Sequence, residues 1–210
     1  ELPENFDRPY LAPNPAEFWR RWHMTLSRWL RDYLYFPLGG SRSGPVRAYW
    51  NLWLTMFLIG IWHGAGWTFV IYGALQGTMM VLHRFYSRRR NRPKGYVDAL
   101  PVLAFKIFLS LQFVVFSRIL FRAESLDNAY EVTTRLFSGT SSLAQISAPI
   151  WIILIGSFIA HFSPRRIYAS MIEGYKKLPP IPQALIAIVV AGLISQVATS
   201  EVVPYIYFQF

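Results

Sequence analysis

The tripeptide Trp62-His63-Gly64 is the strongest candidate for chemistry in this chain of 210 residues. It lies in an apolar stretch that holds no Asp, Glu, Lys or Arg between Ala48 and His83. An ionisable side chain at membrane depth is costly and is usually retained for a function. Imidazole transfers protons near neutral pH. We therefore interpret His63 as a general base, and the alternative interpretation is a structural hydrogen bond between packed helices.

Three other histidines carry weaker signals. His23 lies at the border between an aromatic and a basic helix face, and it gains significance only if that helix lies beside His63. His83 and His161 are better interpreted as residues at the membrane surface. Burial would keep an imidazole neutral and able to accept a proton. The chain has no Cys and its four His are scattered, so we predict no metal site and no thiol chemistry.

Four arginines form a basic face on the predicted helix that carries His23. One interpretation is attraction to anionic lipid headgroups. The other is binding of a phosphate-bearing acyl donor such as a coenzyme A thioester, because guanidinium pairs well with phosphate. Asp32 is expected to pair with Arg28, four residues away. The arginines are Arg20, Arg21, Arg28 and Arg31.

The elements that must position these side chains are predicted to be helices. Residues 1–14 are expected to form a loop, and Asn14 to cap an amphipathic helix over 15–36 that lies in the membrane interface. Residues 49–83 are expected to form a short helical hairpin that carries His63. Glycines in this hairpin have the spacing that permits close helix packing. Membrane spans are predicted over 99–119, 149–162 and 183–199.

Composition supports a membrane protein. Hydrophobic residues make up 53% of the chain and charged residues 15%, whereas soluble domains carry about 25% charge. The basic segments 84–98 and 163–182 are predicted to be cytoplasmic loops, and 122–135 to lie outside. These loops explain the net charge of +10, so we predict a membrane-lipid environment and no nucleic-acid partner. The fold class is therefore predicted to be all-α, in a polytopic integral membrane protein.

A series of short motifs along nearly the whole chain resembles the membrane-bound O-acyltransferase family. The resemblance is closest to the branch of bacterial alginate O-acetyltransferase membrane subunits, and proteins of teichoic acid D-alanylation are more distant. The motifs are Asn5-Phe6, Pro9 to Ala12, Phe18 to Ser27, Trp29 to Tyr35, Pro37 to Gly40, Asn51-Leu52, Thr55, Gly60 to Ala65, Phe121 to Ala123 and Pro204 to Phe210.

This resemblance implies a ring of membrane helices around a thin core, and transfer of an acyl group from an intracellular donor to a hydroxyl. It implies that His63 and His23 are the catalytic histidines. We add Trp62 and Asn51 to the four arginines as candidate substrate- or donor-binding residues. The implied co-substrate is acetyl-CoA or a similar acyl thioester, with no bound cofactor. Many relatives have His-Gly where this chain has Gln76-Gly77, which puts any role for a third histidine in doubt.

The expected activity is acetylation of an exported, alginate-like polysaccharide, directly or through periplasmic acetyl-transfer partner proteins, in the bacterial inner membrane. Family members are about twice this length, so we expect the chain to be the C-terminal part of such a protein. D-Alanyl or other acyl transfer to a cell-wall polymer is an alternative. A transporter would tolerate His63→Gln, and a non-catalytic scaffold would depend more on a surface helix near Leu126 to Leu136 than on His63.

Overall fold

The computed structural model describes residues 2–90, 93, 96–139 and 146–198, which form helices and turns without a strand. This agrees with an all-α fold class. The chain divides into two compact units, Glu1–Ser147 and Ala148–Phe210. The helices are α1 (Pro15–Arg21), α2 (Met24–Leu30), α3 (Pro45–Trp62), α4 (Trp67–Arg89), α5 (Leu100–Arg122), α6 (Leu126–Phe137), α7 (Ala148–Phe162), α8 (Arg165–Lys176) and α9 (Pro180–Ala198).

The predicted single helix over 15–36 is wrong, because the chain breaks at Trp22 and His23. Asn14 caps α1 as expected, accepting a hydrogen bond from the Glu17 amide at 2.8 Å. His23 then adopts a left-handed backbone conformation with φ of 48°. The break is held by Asn5, whose carbonyl accepts from the Met24 amide at 2.9 Å. The Asn5 side-chain oxygen also accepts from the Thr25 amide and hydroxyl.

A short π-helical stretch, Arg31–Tyr35, follows α2 and leads into a turn. Gly39 and Gly40 have φ angles of 102° and 53° in this turn, a region that favours glycine. Asn51 on α3 ties the turn down, because its side-chain nitrogen donates to the carbonyls of Leu38 at 2.9 Å and Gly40 at 3.3 Å. The turn therefore has a fixed position against α3.

The helices α3 and α4 cross with their backbones in contact. A Cβ atom placed on Gly60 would lie 2.4 Å from the Gly73 Cα, and one on Gly73 would lie 2.5 Å from the Phe57 carbonyl oxygen. Gly77 approaches the Trp53 carbonyl in the same way. Only residues without a side chain fit these positions. Both helices extend beyond the predicted limits of 49 and 83.

Polar contacts join α1, α4 and α5 in the buried part of the first unit. The Trp19 indole donates to the Gln76 side-chain oxygen at 3.3 Å, and the Gln76 side-chain nitrogen donates to the Ser117 hydroxyl at 3.1 Å. Apolar side chains pack around them. Buried polar groups that satisfy one another in this way fix the relative position of the helices that carry them. The surrounding apolar core includes Phe18, Leu30, Met56, Ile59 and Val114.

Among the described residues, α5 is the one unbroken helix long and apolar enough to cross a membrane. The helices α7 and α8 meet this criterion only together, with a bend of 104° between them, and α9 contains a shorter apolar stretch. The segment 163–182, predicted to be a loop, holds α8 instead; Pro164 precedes its first turn, where a proline does not interrupt the helix. The multi-pass arrangement stays a prediction. Residue 199 of the last predicted span and the motif Pro204 to Phe210 lie outside the described residues.

Candidate functional site: two histidines beside an arginine pocket

His63 lies in the turn between α3 and α4, where it is 8% exposed. Its amide donates to the Gly60 carbonyl at 3.1 Å, so the backbone of His63 continues the last turn of α3. Its ring centre lies 4.8 Å from both Trp62 and Phe121 and 6.5 Å from Phe69. The His63 ring is therefore surrounded by aromatic side chains, and its function as a general base stays a prediction.

His23 lies at the break between α1 and α2 and belongs to the same region. Its ring packs against Phe6 at 5.2 Å and Trp22 at 6.1 Å. Its Nδ1 atom is buried and makes no hydrogen bond within the described residues. In a continuous helix, the direction of this ring would follow from the helical periodicity. The left-handed backbone at His23 sets the direction instead.

Arg118 on α5 connects the surroundings of the two imidazoles. Its guanidinium carbon lies 4.8 Å from the Trp22 ring centre and 5.2 Å from the Phe121 ring centre. Trp22 is adjacent to His23 in sequence and in contact with it, and Phe121 packs against His63. We call His23, His63, Arg118, Trp22 and Phe121 the histidine cluster.

The electrostatics of this cluster favour neutral imidazoles. Burial lowers the pKa of His63, and the positive charge of Arg118 lowers it further. Burial and Arg118 also lower the pKa of His23. Both histidines lie in breaks between helices and outside the apolar helix α5. A neutral imidazole can accept a proton from a hydroxyl group, which is the chemistry expected of a general base.

A second region of the same unit is a cavity of about 410 Å³ lined by arginines and apolar side chains. Leu52, Met56, Ile59 and Met80 contribute to its apolar lining. Ile59 is four residues before His63, which corresponds to about one helical turn. The cavity therefore extends along α3 toward the histidine cluster. The arginines that line it are Arg20, Arg28, Arg31 and Arg84, and we call this region the arginine pocket.

The four arginines differ in how their charge is balanced. Arg20 pairs with Glu17 at 2.9 Å, and Arg31 pairs with Asp32 at 2.8 Å. The expected pairing of Asp32 with Arg28 is therefore wrong, because the neighbouring Arg31 reaches both carboxylate oxygens. Arg28 instead donates to the Met24 carbonyl at 3.2 Å.

Arg84 extends from α4 to the turn that follows the π-helical stretch. It donates to the Tyr35 hydroxyl and to the Ser41 hydroxyl, both at 2.8 Å. These partners are neutral, so the positive charge of Arg84 stays available to an anion in the pocket.

Three of the predicted donor-binding residues do not line the arginine pocket. Arg21 pairs with Glu17 at 3.5 Å, and its carbonyl accepts from the Asp7 amide. Asn51 is 1% exposed and serves the turn described above. Trp62 is 58% exposed and lies beside the His63 ring.

Arg84, Arg118 and Gln76 were not predicted as site residues. The signal for Arg118 was present in the sequence, since a cation inside an apolar helix is a functional candidate by the same argument that selected His63. Arg84 was counted as part of a basic cytoplasmic segment, and nothing in the sequence places it beside α2. Gln76 accepts a hydrogen bond from Trp19 and donates one to Ser117, and these contacts give it a packing function.

A larger cavity of about 590 Å³ lies elsewhere in the first unit and is lined by His83, Asp98 and Lys106 among others. Neither His23 nor His63 borders it. The His83 ring lies 3.4 Å from the Ser87 hydroxyl. This histidine is therefore separate from the histidine cluster.

Comparison with known proteins places these features in context. Residues 2–121 match the membrane-bound O-acyltransferase family. The chain is 39% identical over 189 residues to a probable alginate O-acetylase of Azotobacter vinelandii, covering 86% of this chain and 36% of that protein. It is 45% identical over 132 residues to a peptidoglycan O-acetyltransferase of Helicobacter pylori, covering 63% and 24%.

A teichoic acid D-alanyltransferase of Bacillus subtilis is 30% identical over 126 residues, covering 57% of this chain and 32% of that protein. The chain thus spans about a quarter to about a third of the length of these three relatives. The matched residues of the family include the histidine cluster and the arginine pocket.

Proposed function

This chain belongs to the membrane-bound O-acyltransferase family, and from that premise we propose that it carries the acyl-transfer site of a polysaccharide O-acetyltransferase. The observation that carries the proposal is the position of His63. Its imidazole is buried among aromatic rings, one helical turn beyond a cavity that combines arginines with an apolar lining. A proton acceptor and an anion-binding pocket at this separation suit the transfer of an acyl group from a phosphate-bearing donor.

In the proposed reaction, His63 takes the proton from a hydroxyl group of the acceptor as that oxygen attacks the thioester carbonyl. The environment supports this assignment, because burial and Arg118 keep the imidazole neutral. The aromatic rings exclude water, which would otherwise compete with the acceptor for the acyl group. His23 serves as a second polar group that positions donor or acceptor, and its buried Nδ1 supports that assignment.

The arginine pocket is the proposed site of the donor, acetyl-CoA or a similar acyl thioester. Arg28 and Arg84 are the main candidates for phosphate contacts, because neither forms an ion pair within the described residues. Arg20 and Arg31 already pair with carboxylates. The apolar lining toward Ile59 suits the uncharged part of the donor. Arg21, Asn51 and Trp62 are not included in this proposed donor site.

The proposed location is the bacterial inner membrane, with the donor side facing the cytoplasm. The apolar helix α5 supports membrane insertion, and the basic segments support the orientation by the positive-inside rule. In this arrangement the donor enters from the cytoplasm, and the acetyl group is delivered to a polysaccharide or to a periplasmic acetyl-transfer partner protein. The surrounding lipids complete the enclosure.

An alginate-like polysaccharide is the first proposed acceptor, because the A. vinelandii relative named for alginate aligns with 86% of this chain. Acyl transfer to a cell-wall polymer is the second candidate. It is supported by the relatives named for peptidoglycan and teichoic acid, which align with 63% and 57% of the chain.

The test compares His63→Ala and His63→Gln in the full-length protein in its native membrane, with His83→Gln as the matched control. Transfer of a labelled acetyl group from the thioester to polysaccharide is measured. We expect both His63 variants to lose about 10²–10⁴-fold in kcat while membrane amounts are unchanged, and His83→Gln to resemble the wild type. Normal acetylation by His63→Gln would contradict the proposal and favour a transport function.

A further inference from the structure

Arg118 brings a permanent positive charge into the histidine cluster. It lies on α5, and the contacts that fix its guanidinium are with the ring faces of Trp22 and Phe121. One of these rings neighbours His23, and the other packs at 4.8 Å against His63. The guanidinium is therefore held between the two proposed catalytic imidazoles by aromatic contacts.

The side chain also keeps its capacity to bind an anion. The ion pairs in the described ranges join Glu17, Asp32, Asp98, Glu131 and Glu173 to other cations. A guanidinium has five N–H donors and stays charged at any physiological pH. Contacts with ring faces hold such a cation without using it to neutralise a carboxylate.

Acyl transfer creates a negative charge that needs such a partner. When a hydroxyl oxygen attacks a thioester, the carbonyl oxygen becomes an oxyanion. A preorganised donor that is aimed at this oxygen in a water-poor site lowers the barrier. The neutral imidazoles offer no positive charge at the start of this step, whereas Arg118 does.

We propose that Arg118 is a catalytic residue that stabilises the oxyanion formed on the acyl donor, an inference that rests on the proposed function. The acceptor oxygen bonds to the carbonyl carbon while its proton passes to His63, and the carbonyl π electrons move to the oxygen beside Arg118. The electron pair then re-forms the carbonyl and the carbon–sulfur bond breaks. The departing thiolate takes the proton from the imidazolium of His63.

The experiment measures kcat and KM for acetyl-CoA in native membranes that contain the full-length protein. Arg118→Met removes the charge, Arg118→Gln keeps an N–H donor, and Arg118→Lys keeps a charge without the forked geometry. We expect kcat to fall about 10²–10³-fold in Arg118→Met, less in the other two, with little change in KM. The control Arg135→Met removes an exposed cation of α6 and is expected to resemble the wild type.

Three outcomes would overturn the inference. The first is an unchanged kcat in Arg118→Met or in Arg118→Gln, and the second is a rise in KM with kcat preserved, which would mean ground-state binding. The third is an equal loss of kcat in Arg118→Lys and Arg118→Met with reduced folded protein in both, which would mean a packing function. His63→Ala separates this inference from the proposed function. An inactive His63→Ala with a fully active Arg118→Met overturns only the function of Arg118, whereas an active His63→Ala overturns both.

Discussion

The histidine cluster and the arginine pocket are parts of the same compact unit, but they are built differently. In the cluster, a single cation lies among aromatic rings, and His63 is 8% exposed. In the pocket, four arginines line an open cavity, and the Arg20 and Arg31 side chains are 75% and 54% exposed. Burial strengthens the electrostatic interactions of an individual charge in the first region, whereas water screens the interactions of each charge in the second. The comparison suggests that chemistry depends on the cluster and donor affinity on the pocket.

The largest expected effect comes from separating the two helices on which both regions depend. Gly73→Ala places a Cβ atom 2.5 Å from the Phe57 carbonyl oxygen, so α3 and α4 must move apart. We expect a loss of about 1–3 kcal/mol in the free energy of unfolding and a loss of activity, because His63 lies directly after this contact. Gly156→Ala is the matched control, since no atom lies within 4 Å of its Cβ position. Thermal unfolding of the purified protein measures the difference.

Gln76→Leu is expected to lower the free energy of unfolding, because it removes the buried hydrogen bonds that join α1, α4 and α5. It leaves the Trp19 indole without its acceptor and the Ser117 hydroxyl without one donor. An unsatisfied buried polar group costs about 1–3 kcal/mol. Gln76→His, which retains a donor and an acceptor, is expected to cost less. Equal melting temperatures for Gln76→Leu and the wild type would show that these hydrogen bonds contribute little.

Changes in the arginine pocket are expected to alter donor binding and leave folding and chemistry intact. Arg84→Met and Arg28→Met should each raise the KM for the thioester about tenfold, which corresponds to the loss of about 1.4 kcal/mol of binding free energy. Steady-state kinetics at several donor concentrations measure this effect. A fall in kcat with constant KM would contradict the division between the two regions.

The smallest expected effect is on pH dependence. The pKa of His63 is lowered, so the proton-accepting form persists below the ordinary imidazole range. Activity should therefore decrease only as the pH falls through this lowered pKa, and the acid limb of kcat against pH should lie below the unperturbed value of about 6.5. Arg118→Gln removes one cause of the lowering and should move that limb to higher pH. A limb at the unperturbed value in the wild type would contradict a buried, neutral base.

The sequence was informative about helices and about the main imidazole. The apolar run around His63 holds no Asp, Glu, Lys or Arg between Ala48 and His83, and its glycines mark the crossing of α3 and α4. The two helices could be predicted because two apolar segments separated by Gly64 and Gly66 indicate two helices joined by a turn. The helix over 15–36 was predicted as continuous because its wheel pattern crosses residue 23 without interruption. Hydrogen bonds that Asn5 accepts from Met24 and Thr25, 19 and 20 positions later in the chain, override that pattern.

The composition of the site was less predictable, because it depends on contacts distant in sequence. Arg84 reaches Tyr35 across 49 positions, and Arg118 meets Trp22 across about twice that interval. No local periodicity encodes such pairs. Arg21 was predicted as a donor ligand from its position on a wheel, but α1 turns it toward Glu17. The sequence thus predicted a basic face, but only the tertiary structure shows which of its arginines line the pocket.

The left-handed backbone conformation of His23, which precedes α2, has a further consequence. A non-glycine residue in this conformation carries about 1–3 kcal/mol of backbone strain, which the chain would release by straightening into the helix that its own periodicity favours. The three hydrogen bonds accepted by Asn5 oppose that release. Asn5 therefore stabilises the break between α1 and α2. Weakening its hydrogen bonds would let the two helices merge into one, and the His23 imidazole would move away from the Arg118 guanidinium.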